Sequence, residues 1–211
     1  MVDIIRRSPV QFDKRPARVE KRHNWNVVTE YSNEGEDGPW ITDLCHKTRW
    51  DVQDGNLASL GSSGLSIPEN YGESSLTGEM AVNRMNRTQV SVWHFSDDDV
   101  EMPDQSAYTE TTDATVFLAL YGKNVFSITE KLTNLDLNGP DKNPPVLIQG
   151  PFSHVPCQIL VVNKDVEAPG ILLTCSRGYA RDMVHALMDA GKEFSLQPAG
   201  EDRFKQWINQ I

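Results

Sequence analysis

Ala114-Thr-Val-Phe-Leu-Ala-Leu-Tyr121, followed by Gly122 and Lys123-Asn-Val-Phe-Ser-Ile-Thr-Glu-Lys-Leu-Thr-Asn134, is the stretch from which the fold can be read. Seven of its first eight residues are apolar, and the stretch reads as a strand. Gly122 supplies a turn where backbone can come close to a neighbour. Beyond it Val125, Ile128 and Leu132 recur at helical steps, with Phe126 beside them, which predicts an amphipathic helix over Lys123–Asn134. A Pro-rich loop follows, then strand candidates at Cys157–Asn163 and Gly170–Cys175. Tyr179, Met183, Val184, Leu187 and Met188 mark a second helix over Arg177–Ala190, with Ser176 as its N-cap and Gly191 as its C′ glycine. A short last helix follows Phe194-Ser-Leu-Gln-Pro-Ala-Gly200. Helices apolar on one face must pack on a sheet.

Upstream, Trp25–Tyr31, Trp40–Cys45 and Thr48–Gln53 are further strands, and Asn33-Glu-Gly-Glu-Asp-Gly-Pro39 is a turn. Met80–Met85 and Gln89–Phe95 flank Asn86-Arg-Thr88 as an antiparallel hairpin. The Gly- and Ser-rich stretch 54–78 reads as loop or short helix, and the acidic stretch 96–113 as a solvated hairpin tip. Asp97, Asp98 and Asp99 lack the ligand spacing and turn glycine of a calcium loop. The chain therefore divides into an extended basic arm over 1–23 and a single domain over 24–211, with sub-halves about 24–113 and 114–211.

Charge sharpens the division. Residues 1–22 hold seven basic side chains against three acidic ones, while the whole chain carries a formal charge of −10. A basic arm on a strongly acidic body either lies on a partner, lies on the body, or is solvated. The acidic body argues against nucleic acid as a ligand. No apolar run reaches the ~18 residues of a membrane span, and Met1-Val-Asp-Ile-Ile-Arg-Arg7 lacks the apolar core of a secretory signal. Three widely spaced cysteines, Cys45, Cys157 and Cys175, imply buried thiols in a reducing cytoplasm rather than a disulfide framework or zinc site.

The common nucleophile, zinc and nucleotide motifs are absent from the sequence. His94 shares a strand face with Val90 and Val92 and reads as a core or rim histidine; His185 lies off its helix's apolar stripe and reads as solvated. His46 stands out, ending a buried strand beside Cys45 and near Asp43 and Lys47. Cys45 and His46 are not a dyad, because strand neighbours point to opposite faces.

Asp43-Leu-Cys-His46 resembles the Asp-[Val/Leu]-Ser-His element of the glycine-cleavage T-protein (aminomethyltransferase) family and of the gamma subunit of heterotetrameric sarcosine oxidase. Leu118-Ala-Leu-Tyr-Gly122 and Leu132-Thr-Asn-Leu-Asp136 resemble that superfamily's Leu-Ala-Leu-Gln-Gly-Pro turn and Leu-Thr segment. Pro169-Gly-Ile-Leu-Leu173 sits at its Gly-Phe-Glu-[Leu/Ile], and Tyr179–Gly191 at its Trp-Glu-Ala-Leu-Leu-Glu-Ala-Gly helix. Leu196-Gln-Pro-Ala-Gly200 matches its Leu-Arg-Pro-[Cys/Ala]-Gly. The resemblance spans about Trp40–Trp207, and the length fits the gamma subunit.

The resemblance implies an α+β folate-binding-type domain of antiparallel sheets with covering helices, and one-carbon chemistry on tetrahydrofolate. It places Asp43, His46, Arg49 and Leu172 around the cofactor pocket. Two departures argue against catalysis by this chain alone: Thr88 and Gln89 stand near the family's hairpin aspartates, and Leu172 replaces the pterin-binding glutamate. A leucine cannot accept the pterin's hydrogen bonds, at about 1–3 kcal/mol per lost partner. The first implied function is thus a gamma-type accessory subunit of a folate-linked amine oxidase or demethylase, in which a larger partner subunit carries the flavin. Trp40 and Trp50 then serve either the interface or the core. The alternatives are a stand-alone tetrahydrofolate-dependent aminomethyl- or methyltransferase and a non-catalytic interaction protein of the same fold. The superfamily's iron–sulfur-maintenance motif has no counterpart around Cys157 or Cys175.

Overall fold

The computed structural model describes residues 5–58, 60 and 65–211. Residues 1–4 of the basic arm, and 59 and 61–64 of the Gly/Ser-rich stretch, lie outside the described residues. The chain is mostly sheet with few helices, as the α+β reading requires.

Strand β9 (Thr115–Tyr121) is the axis of a six-stranded sheet ordered β10-β11-β12-β9-β3-β13. Its partners are β3 (Trp40–Asp43), β10 (Val146–Phe152), β11 (Val155–Asn163), β12 (Gly170–Ser176) and β13 (Gln197–Pro198). All pairings are antiparallel except β13 on β3. Val116, Leu118 and Leu120 of β9 face a core shared with helices α1 (Val125–Thr129) and α2 (Ala180–Gly191). Phe117, Ala119 and Tyr121 face the opposite layer, with Ala81, Trp93 and Phe95 of the second sheet and Phe204 and Trp207 of helix α3 (Glu201–Ile208). Burial on both faces is why this strand is apolar without alternation.

The second sheet is ordered β5-β6-β7-β4-β8, from β4 (Arg49–Gln53), β5 (Ser74–Leu76), β6 (Met80–Arg84), β7 (Gln89–His94) and β8 (Tyr108–Glu110). Its outer face buries Trp50, Val52, Val82, Val90 and Val92 under Leu57, Leu60 and Leu65 of the following connection. Trp50 is thereby a core residue, 4% exposed, and is not free to anchor an interface. Trp40 is half-buried against Tyr121, with the Arg203 guanidinium 4.8 Å over its ring.

Several expectations are corrected. Seven residues of the arm form strand β1 (Pro16–Arg22), paired antiparallel with β2 (Trp25–Tyr31), so a stretch of sparse apolar content is held by ladder bonds and ion pairs. The Pro-rich loop ends in β10, which pairs with β11 along its whole length despite Pro151, because an edge strand can spare an N–H. Within the predicted loop and hairpin-tip stretches lie β5 and β8, three residues each. Helix α1 is shorter than predicted, entered through Asn124 at φ 66°. Ser176 makes no capping hydrogen bond, and a 3-10 turn, Arg177–Tyr179, precedes α2. Gly191 is the last residue of α2 with φ −84°, and the left-handed position falls at Ser195. What Gly191 permits is contact: a Cβ there would lie 2.4 Å from Leu196 Cβ.

Candidate functional site

The polar residues singled out by sequence gather where β3 turns into β4. Asp43 Oδ1 accepts the Cys45 N–H at 2.9 Å, an Asx-turn that ends β3 one residue before Leu44. The chain then presents His46 and Lys47 to the start of α3. Gly200 precedes that helix at the point where β2 passes: a Cβ on Gly200 would sit 2.2 Å from the Thr29 carbonyl oxygen. The close approach places Glu201 beneath the β1–β2 hairpin, with 0% exposure.

Glu201 is the hub. His46 Nε2 lies 3.0 Å and Lys47 Nζ 2.5 Å from its Oε1, and the Arg22 guanidinium reaches Oε2 at 2.5 Å. Lys47, 2% exposed, also donates to Asp97 Oδ1 at 2.7 Å and to the Ser96 carbonyl at 3.1 Å. Arg22 donates to Asp97 at 2.8 Å and to Glu20 at 2.6 Å, and Lys205 closes the ring by pairing with Asp97. A carboxylate only accepts, so the His46–Glu201 contact fixes a proton on Nε2.

Burial alone would raise the Glu201 pKa, but His46 and Lys47 outweigh it and hold the carboxyl well below the usual range. Burial lowers the His46 pKa, and Glu201 offsets only part of that, leaving a neutral imidazole at pH 7. The Cys45 thiol is pushed far up by burial and then by Asp43, so it is no nucleophile at neutral pH.

Arg49 serves the backbone. Its guanidinium donates to the carbonyls of Lys47 and Thr112, each at 2.6 Å, and to Thr115 Oγ1 at 2.9 Å. Burial lowers its pKa to about 10. Leu172 does not join the other three. It pairs with Ala119 in the layer between the sheets and is 0% exposed, whereas Asp43 pairs with Leu118, whose side chain lies in the helix-side core. The hairpin residue Gln89 donates to Asp51 Oδ1 at 2.7 Å.

A cavity of about 150 Å³ adjoins the cluster, lined by Arg22, His46, Lys47, Trp25, Trp50 and Asp97. Small-molecule sites run to roughly 300–1,000 Å³, so this space is smaller than a folate needs. A second cavity, about 820 Å³, is an open groove between residues 9–14 and α2, lined by Phe12, His185 and Met188 among others. None of Asp43, His46, Arg49 or Leu172 lines it. Among the described residues no His, Cys, Asp and Glu group has metal-site geometry, and no helix is long and apolar enough to cross a membrane.

Sequence reasoning missed Glu201, Lys47, Arg22 and Asp97 as one unit. Arg22 and Glu201 stand 179 positions apart, and no local spacing links them. The nearest signal is the glycine of Leu196-Gln-Pro-Ala-Gly200, which marks the tight approach that buries the next residue.

The comparisons agree with this architecture. No protein-family model matches the sequence, and no curated protein matches it. Solved structures do match. One is a chain of the heterotetrameric sarcosine oxidase from Corynebacterium sp. U-96, in complex with pyrrole 2-carboxylate. The two chains superpose with a TM-score of 0.64 at 17% identity, over 77% of this chain and 88% of that one. The fold is similar to that of a sarcosine oxidase chain.

Proposed function

We propose that this protein is a gamma-type accessory subunit of a folate-linked amine oxidase or demethylase complex, in which a larger partner subunit carries the flavin. The observation that carries the reading is the fold shared with a chain of a heterotetrameric enzyme, matched over most of both chains. A matched chain of similar length fits a small subunit rather than a large catalytic one. The polar cluster supports a structural role, because its buried carboxylate and lysine are neutralised and hydrogen-bonded within the chain. A buried ion pair that satisfies itself has no free group to offer a substrate.

On this reading the isolated chain does not bind tetrahydrofolate. Leu172 offers the pterin no acceptor, and the space beside His46 is about 150 Å³. Anaerobic calorimetric titration of the purified chain with tetrahydrofolate is expected to show no binding up to ~1 mM ligand, an affinity ceiling of roughly −4 kcal/mol. Micromolar binding would instead favour the stand-alone transferase. Purification of the tagged chain from its native host is expected to bring down a stoichiometric flavin-bearing polypeptide. Recovery of the chain alone, together with flavin-dependent amine oxidation undiminished by deleting its gene, would sink the subunit assignment.

A further inference from the structure

We propose that Cys157 and Cys175 form a peroxide-oxidisable dithiol that closes to an intramolecular disulfide between β11 and β12. The two residues are directly opposite one another in the antiparallel ladder. Opposed residues have Cα atoms about 4.5 or about 5.5 Å apart, according to whether the pair is hydrogen-bonded. Both values fall inside the roughly 4.4–6.8 Å that a disulfide spans. Direct opposition puts both side chains on one face, and both sit at the edge of the helix-side core. All three cysteines are free.

Burial selects the oxidant. Cys157 is 6% and Cys175 4% exposed, against 0% for Cys45, which is also occupied by the Phe117 N–H at 3.3 Å. Hydrogen peroxide, scarcely larger than water, can reach such thiols; a bulky disulfide such as oxidised glutathione cannot. The order of steps follows from the surroundings of the two thiols. Cys157 donates its S–H to the Val155 carbonyl at 3.3 Å, and the neighbouring Cys157 lowers the Cys175 pKa while its own is raised, so Cys175 is the first nucleophile. Its thiolate attacks one peroxide oxygen, the O–O bond breaks, and the leaving hydroxide takes up the proton as water, leaving a sulfenic acid on Cys175. The Cys157 sulfur then attacks that sulfur, the S–O bond breaks, and hydroxide leaves with the Cys157 proton as a second water. Two thiols are oxidised to one disulfide and one peroxide is reduced to two waters.

The test uses the full chain, first reduced and then treated with hydrogen peroxide or, separately, with oxidised glutathione. After peroxide, free thiols counted in denaturant should fall from three to one. The intact mass should drop by two hydrogens, and a digest should contain a linked Cys157–Cys175 peptide. Oxidised glutathione should leave every thiol free. Cys45→Ser should lose the same two hydrogens, while Cys157→Ser should gain oxygen mass at Cys175 instead. Survival of all thiols in peroxide, a link through Cys45 or between two chains, or a glutathione adduct on Cys175 would overturn the proposal.

Discussion

Glu201 is where the buried cluster is most exposed to experiment. Glu201→Gln keeps the shape but leaves Lys47 without one counter-charge, and is expected to cost about 3–5 kcal/mol in urea unfolding at pH 7. The Glu201 pKa lies below its unfolded value, so its stabilisation is full above about pH 4.5 and is lost as pH falls through the folded value. The gap between wild type and variant should therefore narrow in acid; a gap independent of pH would rule out the charge as its source. His94 gives a second window. Burial lowers its pKa to about 4, with its ring packed 4.3 Å from that of Trp50. The unfolded histidine protonates from about pH 6.5 downward, so stability should fall by about 3 kcal/mol between pH 7 and pH 4 from this group. His94→Phe should flatten that part of the profile, read from urea midpoints. Leu172→Glu, which the family pattern would suggest restores a pterin contact, instead puts a carboxylate into the layer between the sheets, without solvent, and is expected to prevent stable folding. Of these residues, His46 and Asp43 were legible as polar groups at a strand end. Glu201 was not, because its partners come from β1 and the β3–β4 turn, both remote in sequence.

At the scale of elements, the β1–β2 hairpin and α3 hold one another. Arg18 pairs with Asp202, Arg22 with Glu201, and the Gly200 backbone touches Thr29. Gly200→Ala would force these apart, at roughly 1–3 kcal/mol, since the obstruction is backbone and cannot rotate away. Near-UV circular dichroism should change as Phe204 and Trp207 shift against Tyr121. Deleting residues 1–22 removes β1, the ladder partner of β2, and takes Val10 from the core and Arg22 from Glu201. That truncation is expected to unfold or aggregate, whereas removing residues 1–8 loses the Arg6–Asp113 pair and the Arg6–Trp25 contact and should cost only about 1–2 kcal/mol. Equal stability of the two truncated chains by thermal melt would contradict the integral role of β1. Composition alone reads this segment as an arm because its outward residues are charged; the ion pairs that fix it are tertiary.

For the whole molecule, the sub-halves 24–113 and 114–211 share a sheet. Strand β3, from the first half, lies between β9 and β13 of the second, and Trp93 of the second sheet packs against Phe117 of the first. A fragment of residues 114–211 would expose both gaps, and is expected to lack the dispersed amide spectrum of a folded protein. The intact chain should unfold in a single transition followed alike by fluorescence and far-UV circular dichroism. A folded fragment would show that the two sheets are independent.

The sequence by itself determined the apolar strand ending at Tyr121, the helices that must pack on a sheet, the periodic helix ending near Gly191 and the hairpin around Asn86-Arg-Thr88. Each depends on periodicity and turn chemistry within about twenty residues. The tertiary structure alone decided that β3 enters the main sheet, that a charged tail becomes β1, and that Glu201 gathers Arg22, His46 and Lys47 in a buried cluster. Those outcomes turn on which surfaces meet after the chain closes on itself, and a buried carboxylate is neutralised only by the cations that the fold carries to it.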